Sequence, residues 1–182
     1  MNAINSKSKQ RGAFAIEFAL VGLFLGLLLM VAIDSTIKIS TKGKLDRLSF
    51  SSVNLLKERT QLYGENYTTS QADADLVVDV VENSFGRTIA SFDSSKFGVL
   101  IEEQTYQSNG TPNAVVTYRD GINCQPAQVL SAIEGDLSVV TSWGRQATLY
   151  RVTLCYETEN LLANLIDSSF STVQSSSVIV GR

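Results

Sequence analysis

Histidine is absent from the 182 residues, which removes together the commonest general base, the usual partner of a nucleophile and the commonest zinc ligand. Cysteine is scarce: Cys124 and Cys155 are the only two, too few for a thiolate metal site and not spaced as a CxxC redox pair. Their natural use is to pair with each other. Basic residues form no stripe of the kind that displaces counterions from phosphates, so a nucleic-acid surface is set aside. The formal net charge is −3, and Lys7, Lys9 and Arg11 supply three positive charges before residue 13 with no acid among them, so the rest of the chain carries −6. Nothing in this inventory assembles a base, a nucleophile and an oxyanion stabiliser. The expectation is a protein that is not an enzyme, with no catalytic residues, no metal and no cofactor.

What the chain does have is apolar sequence. Hydrophobic residues make up 44% and charged residues 18%, and the length allows one ordinary domain with an appendage. The excess is concentrated near the N-terminus, where 13–33 reads AFAIEFALVGLFLGLLLMVAI with Glu17 as its single charge. As a helix this stretch is roughly 31 Å long, matching a hydrocarbon core of about 30 Å, so 13–33 is expected to span a membrane. A cleaved secretory signal has a shorter apolar run and a small-x-small cleavage site, and neither is present. A buried core helix would need protein on every side, and the rest of the chain is too small to supply it.

Glu17 is the informative residue, because a carboxylate in hydrocarbon costs about 2.5–3.5 kcal/mol at mid-membrane and less near an end. Arg11-Gly12 stands just before the apolar run, Glu17 is the fifth residue after Gly12, and Phe18 follows. The stretch Lys9-Gln10-Arg11-Gly12 followed by Ala13-Phe14-Ala15-Ile16-Glu17-Phe18 resembles a type IV prepilin processing site. With its short leader and Glu-Phe pair it resembles the TadE and TadF pseudopilins of the tight adherence (Tad, or Flp) pilus system. The length of the body and the stretch from Tyr150 to Tyr156 incline the resemblance towards TadF. The resemblance implies a leader over 1–12, cleavage between Gly12 and Ala13 by a prepilin peptidase on the cytoplasmic side, and an anchor left in the inner membrane. It also implies a TadE-like partner, a major pilin and an inner-membrane assembly platform as associates, and a role in pilus biogenesis and adherence. Major pilins of many type IV systems begin with Phe, and those of the Flp branch usually carry Glu-Tyr. Ala13 and Glu17-Phe18 depart from both, which favours a minor subunit.

The charges can be argued independently of the resemblance. Cleavage would create an α-amine on Ala13, one helical turn from Glu17 and on the same face. The pair could neutralise itself, or Glu17 could pair with the amine of a neighbouring subunit and penalise misregistered assembly. The bland reading leaves Glu17 solvated at the membrane interface. Ala15, Ala19, Gly22 and Gly26 lie almost opposite in helical phase and form a small-residue stripe with a GxxxG pair, where a second helix could dock. Orientation is not decided by charge alone, since Lys38, Lys42, Lys44 and Arg47 follow the span while three basic residues precede it. The leader resemblance puts the N-terminus in the cytoplasm, and a Cys124–Cys155 disulfide puts the body on the oxidising, periplasmic side.

Beyond the span, Ile37, Thr41, Leu45, Leu48, Ser52, Leu55 and Leu62 keep a spacing near 3.5 residues, which predicts an amphipathic stalk over 34–63. Gly43 weakens it by about 1 kcal/mol and is a place for a bend. The stretch 64–69 is a break. Ser70 and Asp73 resemble a capping box opening a second helix, with Leu76, Val77, Val80, Val81 and Phe85 on its apolar face. The period then shifts to alternation: Phe97–Gln107, a turn at 108–113 and Ala114–Arg119 predict a β-hairpin, Gln146–Thr158 a third strand and Ser176–Val180 a fourth. The expected fold of 64–182 is α+β and pilin-like, a helix and the stalk packed on an antiparallel sheet of three to five strands. Closing Cys124 onto Cys155 would tie a loop to a central strand.

Other candidates carry less. Glu102 and Glu103 are adjacent, so on a strand they point to opposite faces and cannot act as a catalytic pair; a solvated strand edge is expected. Asp73, Asp75 and Asp79 lack the spacing of a calcium loop and suit a helix start. The serine-rich run 168–177 has no nucleophile-elbow glycines and is expected to be a loop. The leading reading is a minor pseudopilin. The alternative is a bitopic, membrane-anchored sensor or binding protein with an uncleaved anchor, which predicts an intact N-terminus and a pocket; a major pilin is a further competitor.

Overall fold

Helix α1 (Lys7–Tyr63) carries the apolar segment and continues unbroken, through Gly43, into the body of the protein. The computed structural model describes residues 7–63, 68–159 and 171–181. The body adds helix α2 (Gln71–Thr88), a 3-10 turn (Ser94–Lys96), strands β1 (Phe97–Gln104) and β2 (Val116–Gly121), helix α3 (Leu130–Leu137), and strands β3 (Leu149–Glu157) and β4 (Thr172–Val180). The strands form one antiparallel sheet in the order β2-β1-β3-β4. The α+β architecture expected from the sequence is therefore present.

From Phe14 to Ile33 every side chain of α1 is exposed, and Asp34 is the first buried one. Burial then falls on Thr41, Leu45, Ser49, Ser52, Val53 and Leu56. This is the 3.6-residue period of a straight helix lying on a sheet, and it drifts away from a strict 3.5 repeat. The predicted stripe is corrected accordingly: Ile37 stays exposed, Leu48 and Leu55 are only partly buried, and Ser49 and Leu56 take the central places. Ser49 is possible there because it meets serines. Its hydroxyl lies 3.1 Å from that of Ser175 and 2.8 Å from that of Ser177 on β4. The serine-rich run expected as a loop is thus strand from Thr172 onward, its small side chains letting α1 sit close; 168–170 lie outside the described residues.

Helix α2 opens with the predicted capping box. The Ser70 hydroxyl accepts from the Asp73 N–H, and the Asp73 carboxylate accepts from the Ser70 N–H at 2.9 Å, a reciprocal cap that satisfies two otherwise orphaned donors. Its buried face is Ala74, Val77, Val81 and Phe85, while Leu76 and Val80 are exposed. Two of the five residues of the predicted apolar face therefore turn to solvent, because α2 meets the rest of the body along one narrow line. Phe85 ends that line in an aromatic cluster, 5.3 Å from Phe97 and 5.2 Å from Tyr156 between ring centroids.

The two inner strands, β1 and β3, are covered on both faces. Phe97, Val99, Ile101, Val152 and Leu154 face α1 and α2, while Leu100 faces Cys124 and Cys155 on the other side. That second covering layer is the chain from Ile122 to Ala147 with α3 inside it, a stretch the sequence reading leaves as a loop. Tyr106 closes it from the hairpin side: burial raises the pKa of its hydroxyl, which lies among Ser138 and Glu134. Gly98 and Gly121 are opposite each other in the β1–β2 ladder. Gly121 has φ +69, and a Cβ on Gly98 would run into the carbonyl of Ile122, so both positions exclude a side chain.

Because β1 is buried on both faces, Glu102 and Glu103 are not a solvated edge, and that expectation is corrected. They do point to opposite faces. Glu102 accepts from Arg151 Nε at 2.5 Å beneath the second layer, and Glu103, fully buried on the helix side, accepts from the Thr69 N–H at 2.7 Å. The Thr69 carbonyl in turn accepts from the Tyr118 hydroxyl at 2.6 Å. These bonds fasten Thr69, just before the α2 cap, to the sheet.

Candidate functional site

Functional geometry is concentrated at the anchor. Gly12 and Ala13 lie within the helical span of α1; the side-chain environment is described from Phe14 onward. Glu17 is exposed, and among the described residues none pairs with it. Phe18 is 71% exposed and stacks on Phe14, one turn earlier, at 6.5 Å between centroids. Ala15 and Ala19 are also exposed. A Cβ placed on Gly22 or Gly26 would meet nothing within 4 Å, so the small-residue stripe is open along its length. The structure thus leaves both candidate faces of the helix, the Glu17 face and the Gly22–Gly26 face, without a described neighbour. Apolar side chains in this number are stable in contact with lipid or with other helices, not with water.

The other end of the exposed segment is a junction. Asp34 and Lys38 form an ion pair at 2.6 Å, one turn apart. Lys42 reaches both the Asp46 carboxylate at 3.1 Å and the Gln174 carbonyl at 3.4 Å. Burial alone would raise the pKa of Asp46, but the bonds from Ser175 and Lys42 and the Lys42 charge together lower it. Lys44 donates to the Thr88 carbonyl at 2.8 Å, at the C-terminal end of α2 where a cation is favoured. Two of the four basic residues that follow the span, Lys42 and Lys44, therefore fasten the helix to the body, while Lys38 is held within α1 by Asp34.

Cys124 and Cys155 form the expected disulfide, with Cα atoms 5.8 Å apart across a sequence separation of 31. Both are buried, and the bond fastens the second covering layer to β3, an interior strand of the sheet. Arg151 lies next to this fastening, with Nη1 donating to the Gln128 carbonyl at 2.7 Å. Sequence reasoning did not single out Arg151. The signal was available, since an arginine inside a run as apolar as LYRVTLCY needs a buried acceptor. A cleft of about 340 Å³ between α2 and β2, lined by Asp75, Asp79, Glu82 and Asp120 above Val99 and Ile101, was not anticipated either.

An exposed apolar helix continuous with a body of one further long helix on a four-stranded antiparallel sheet defines a membrane-anchored, pilin-like subunit. The model of the TadF family, tight adherence pilin protein F, matches residues 5–182. The chain belongs to that family, and it is a pilin-like subunit of the Tad pilus. No curated protein and no solved structure matches it.

Proposed function

We propose that this chain is a minor subunit of the Tad pilus that is processed between Gly12 and Ala13 by a prepilin peptidase and supports pilus assembly and adherence. In this reading residues 1–12 are removed on the cytoplasmic side, 13–33 remain in the inner membrane, and the body stands in the periplasm. Ala13 then bears a free α-amine one turn from Glu17. The carboxylate pairs with that amine or with the amine of an adjacent subunit, while the Ala15–Gly26 stripe receives a second helix, from a TadE-like partner or the major pilin. The observation that carries the reading is Glu17 itself: a lone carboxylate without a described partner, on a helix surface otherwise apolar and open, in a chain of the TadF family. The disulfide between Cys124 and Cys155 supports an oxidising compartment for the body.

The test is the intact mass and N-terminal sequence of membrane-extracted protein made with and without a prepilin peptidase. A chain beginning at Ala13 only when the peptidase is present is the expected result. A chain that retains residues 1–12 in both cases overturns the processing step and leaves an uncleaved, bitopic subunit as the better account.

A further inference from the structure

We propose that the outer edge of β2 and the cleft beside it receive an extended, cationic segment of a partner protein, which adds to the sheet as a further strand. Strand β2 ends the sheet, and among the described residues only β1 pairs with it. The Ile122 N–H bonds the Phe97 carbonyl at 3.0 Å, and this fixes the parity of the ladder. Since bonded and non-bonded pairs alternate in an antiparallel ladder, Val116, Tyr118 and Asp120 direct their backbone groups to β1. Thr117 and Arg119 direct theirs outward. Helix α1 packs over β3 and β4, away from the β2 edge, so a strand arriving at β2 does not displace it.

The cleft specifies what that strand carries. Its walls are Asp75, Asp79 and Glu82 from α2 and Asp120 from β2, and its floor includes Val99 and Ile101. Asp75 takes a hydrogen bond from the Gln71 amide at 2.8 Å, yet no lysine or arginine among the described residues forms an ion pair with any of the four. Among the described residues Arg119 is the one cation lining the cleft, and its guanidinium donates to Asn123 at 3.0 Å. An apolar floor under acidic walls suits a side chain with an alkyl stem and a positive head. In a strand added at β2, alternate side chains fall on the α2 face and enter this cleft, while the backbone supplies the ladder. A second copy of the chain is disfavoured, because its own edge would bring like charges to the same acids. The proposal does not depend on removal of the leader.

The experiment uses the full-length protein in lipid nanodiscs and a short, end-capped peptide alternating lysine with valine. Controls are the same peptide with glutamate for lysine and one with proline for valine, which keeps the charge but cannot donate to a ladder. Binding is followed by fluorescence anisotropy and residue-resolved amide exchange. The lysine–valine peptide should bind and slow exchange at Thr117 and Arg119, leaving Tyr118 and Asp120 unchanged. The glutamate peptide should not bind. Asp79→Asn with Glu82→Gln should weaken binding roughly five- to tenfold and leave the unfolding temperature unaltered. Equal binding of the proline peptide would reduce the effect to simple charge attraction and overturn the strand addition. Binding without protection at Thr117 and Arg119 would overturn the location, and equal binding of the glutamate peptide would overturn the chemistry.

Discussion

Replacing Glu102 with Ala should be among the most damaging single changes in the body. Arg151 is 2% exposed and sits on β3 directly across from Glu102 on β1. Its Nε and Nη2 both lie 2.5 Å from Glu102 Oε2, and Nη1 is held by the Gln128 carbonyl. Glu102→Ala leaves the guanidinium in place with that carbonyl as its remaining partner, and removing one member of a buried pair costs about 3–5 kcal/mol. For a chain of this size that is a fall in Tm on the order of 10 °C. Replacing both members, Glu102→Leu with Arg151→Met, removes the charge along with its counter-ion and should recover most of the loss, leaving about 1 kcal/mol for the orphaned Gln128 carbonyl. The assay is thermal unfolding of the full-length protein in a mild non-ionic detergent, followed by far-ultraviolet circular dichroism, for both single variants and the double. A cost below about 1 kcal/mol for Glu102→Ala, or a double variant as unstable as the worse single one, would refute the reasoning.

Three further outcomes are expected. Cys124→Ser opens a loop of 31 residues and should cost about 3–4 kcal/mol; a reductant should lower the Tm of the natural protein to that of the variant, and a reductant without effect would show that the bond holds nothing. Asp46 has its pKa lowered, against its burial, by Ser175 and Lys42, so its contribution is fully present above the ordinary value of 3.8 and is lost as pH falls through the depressed value. Asp46→Asn should therefore narrow the difference in stability between pH 5 and pH 3 by a few tenths of a kcal/mol, since the group is largely solvated; an unchanged difference would count against the contact. Ser49→Leu should cost about 1–3 kcal/mol by overpacking the contact with Ser175 and Ser177, whereas Ser49→Ala should be mild, and the reverse ranking in an unfolding series would be decisive against close packing there.

The parts of this protein legible in the sequence are those whose partners are local or generic. The apolar run 13–33 meets its environment as a cylinder, so length and composition suffice. The Ser70–Asp73 box acts within one turn, and the strands announce themselves by residue type. The parts that were not legible depend on what arrives from elsewhere in the chain. Glu102 and Glu103 read as edge residues because nothing nearby in sequence says that a disulfide-held layer will cover one face of β1 and two helices the other. The serines of β4 read as a loop because their fitness is a property of Ser49, more than a hundred residues earlier. α3 is eight residues long, too short for a periodic signal to outweigh the loop-like sequence around it.

The continuity of α1 connects these levels. Its exposed part contributes nothing to the core, while Leu45, Val53 and Leu56 lie at the centre of it, and no break separates the two parts. A helix is stiff over this length, so a displacement of the anchor along its axis is delivered to the body without a hinge to absorb it. The places where that load would be felt first are the bonds at the junction: Lys42 to Gln174, Lys44 to Thr88, and Ser49 to Ser175 and Ser177. They tie α1 to both ends of the body's chain order, α2 on one side and the final strand on the other. Removing the anchor from the bilayer therefore requires no rearrangement of the sheet, only the exchange of lipid for neighbouring helices along 14–33, which is the property an assembling subunit needs.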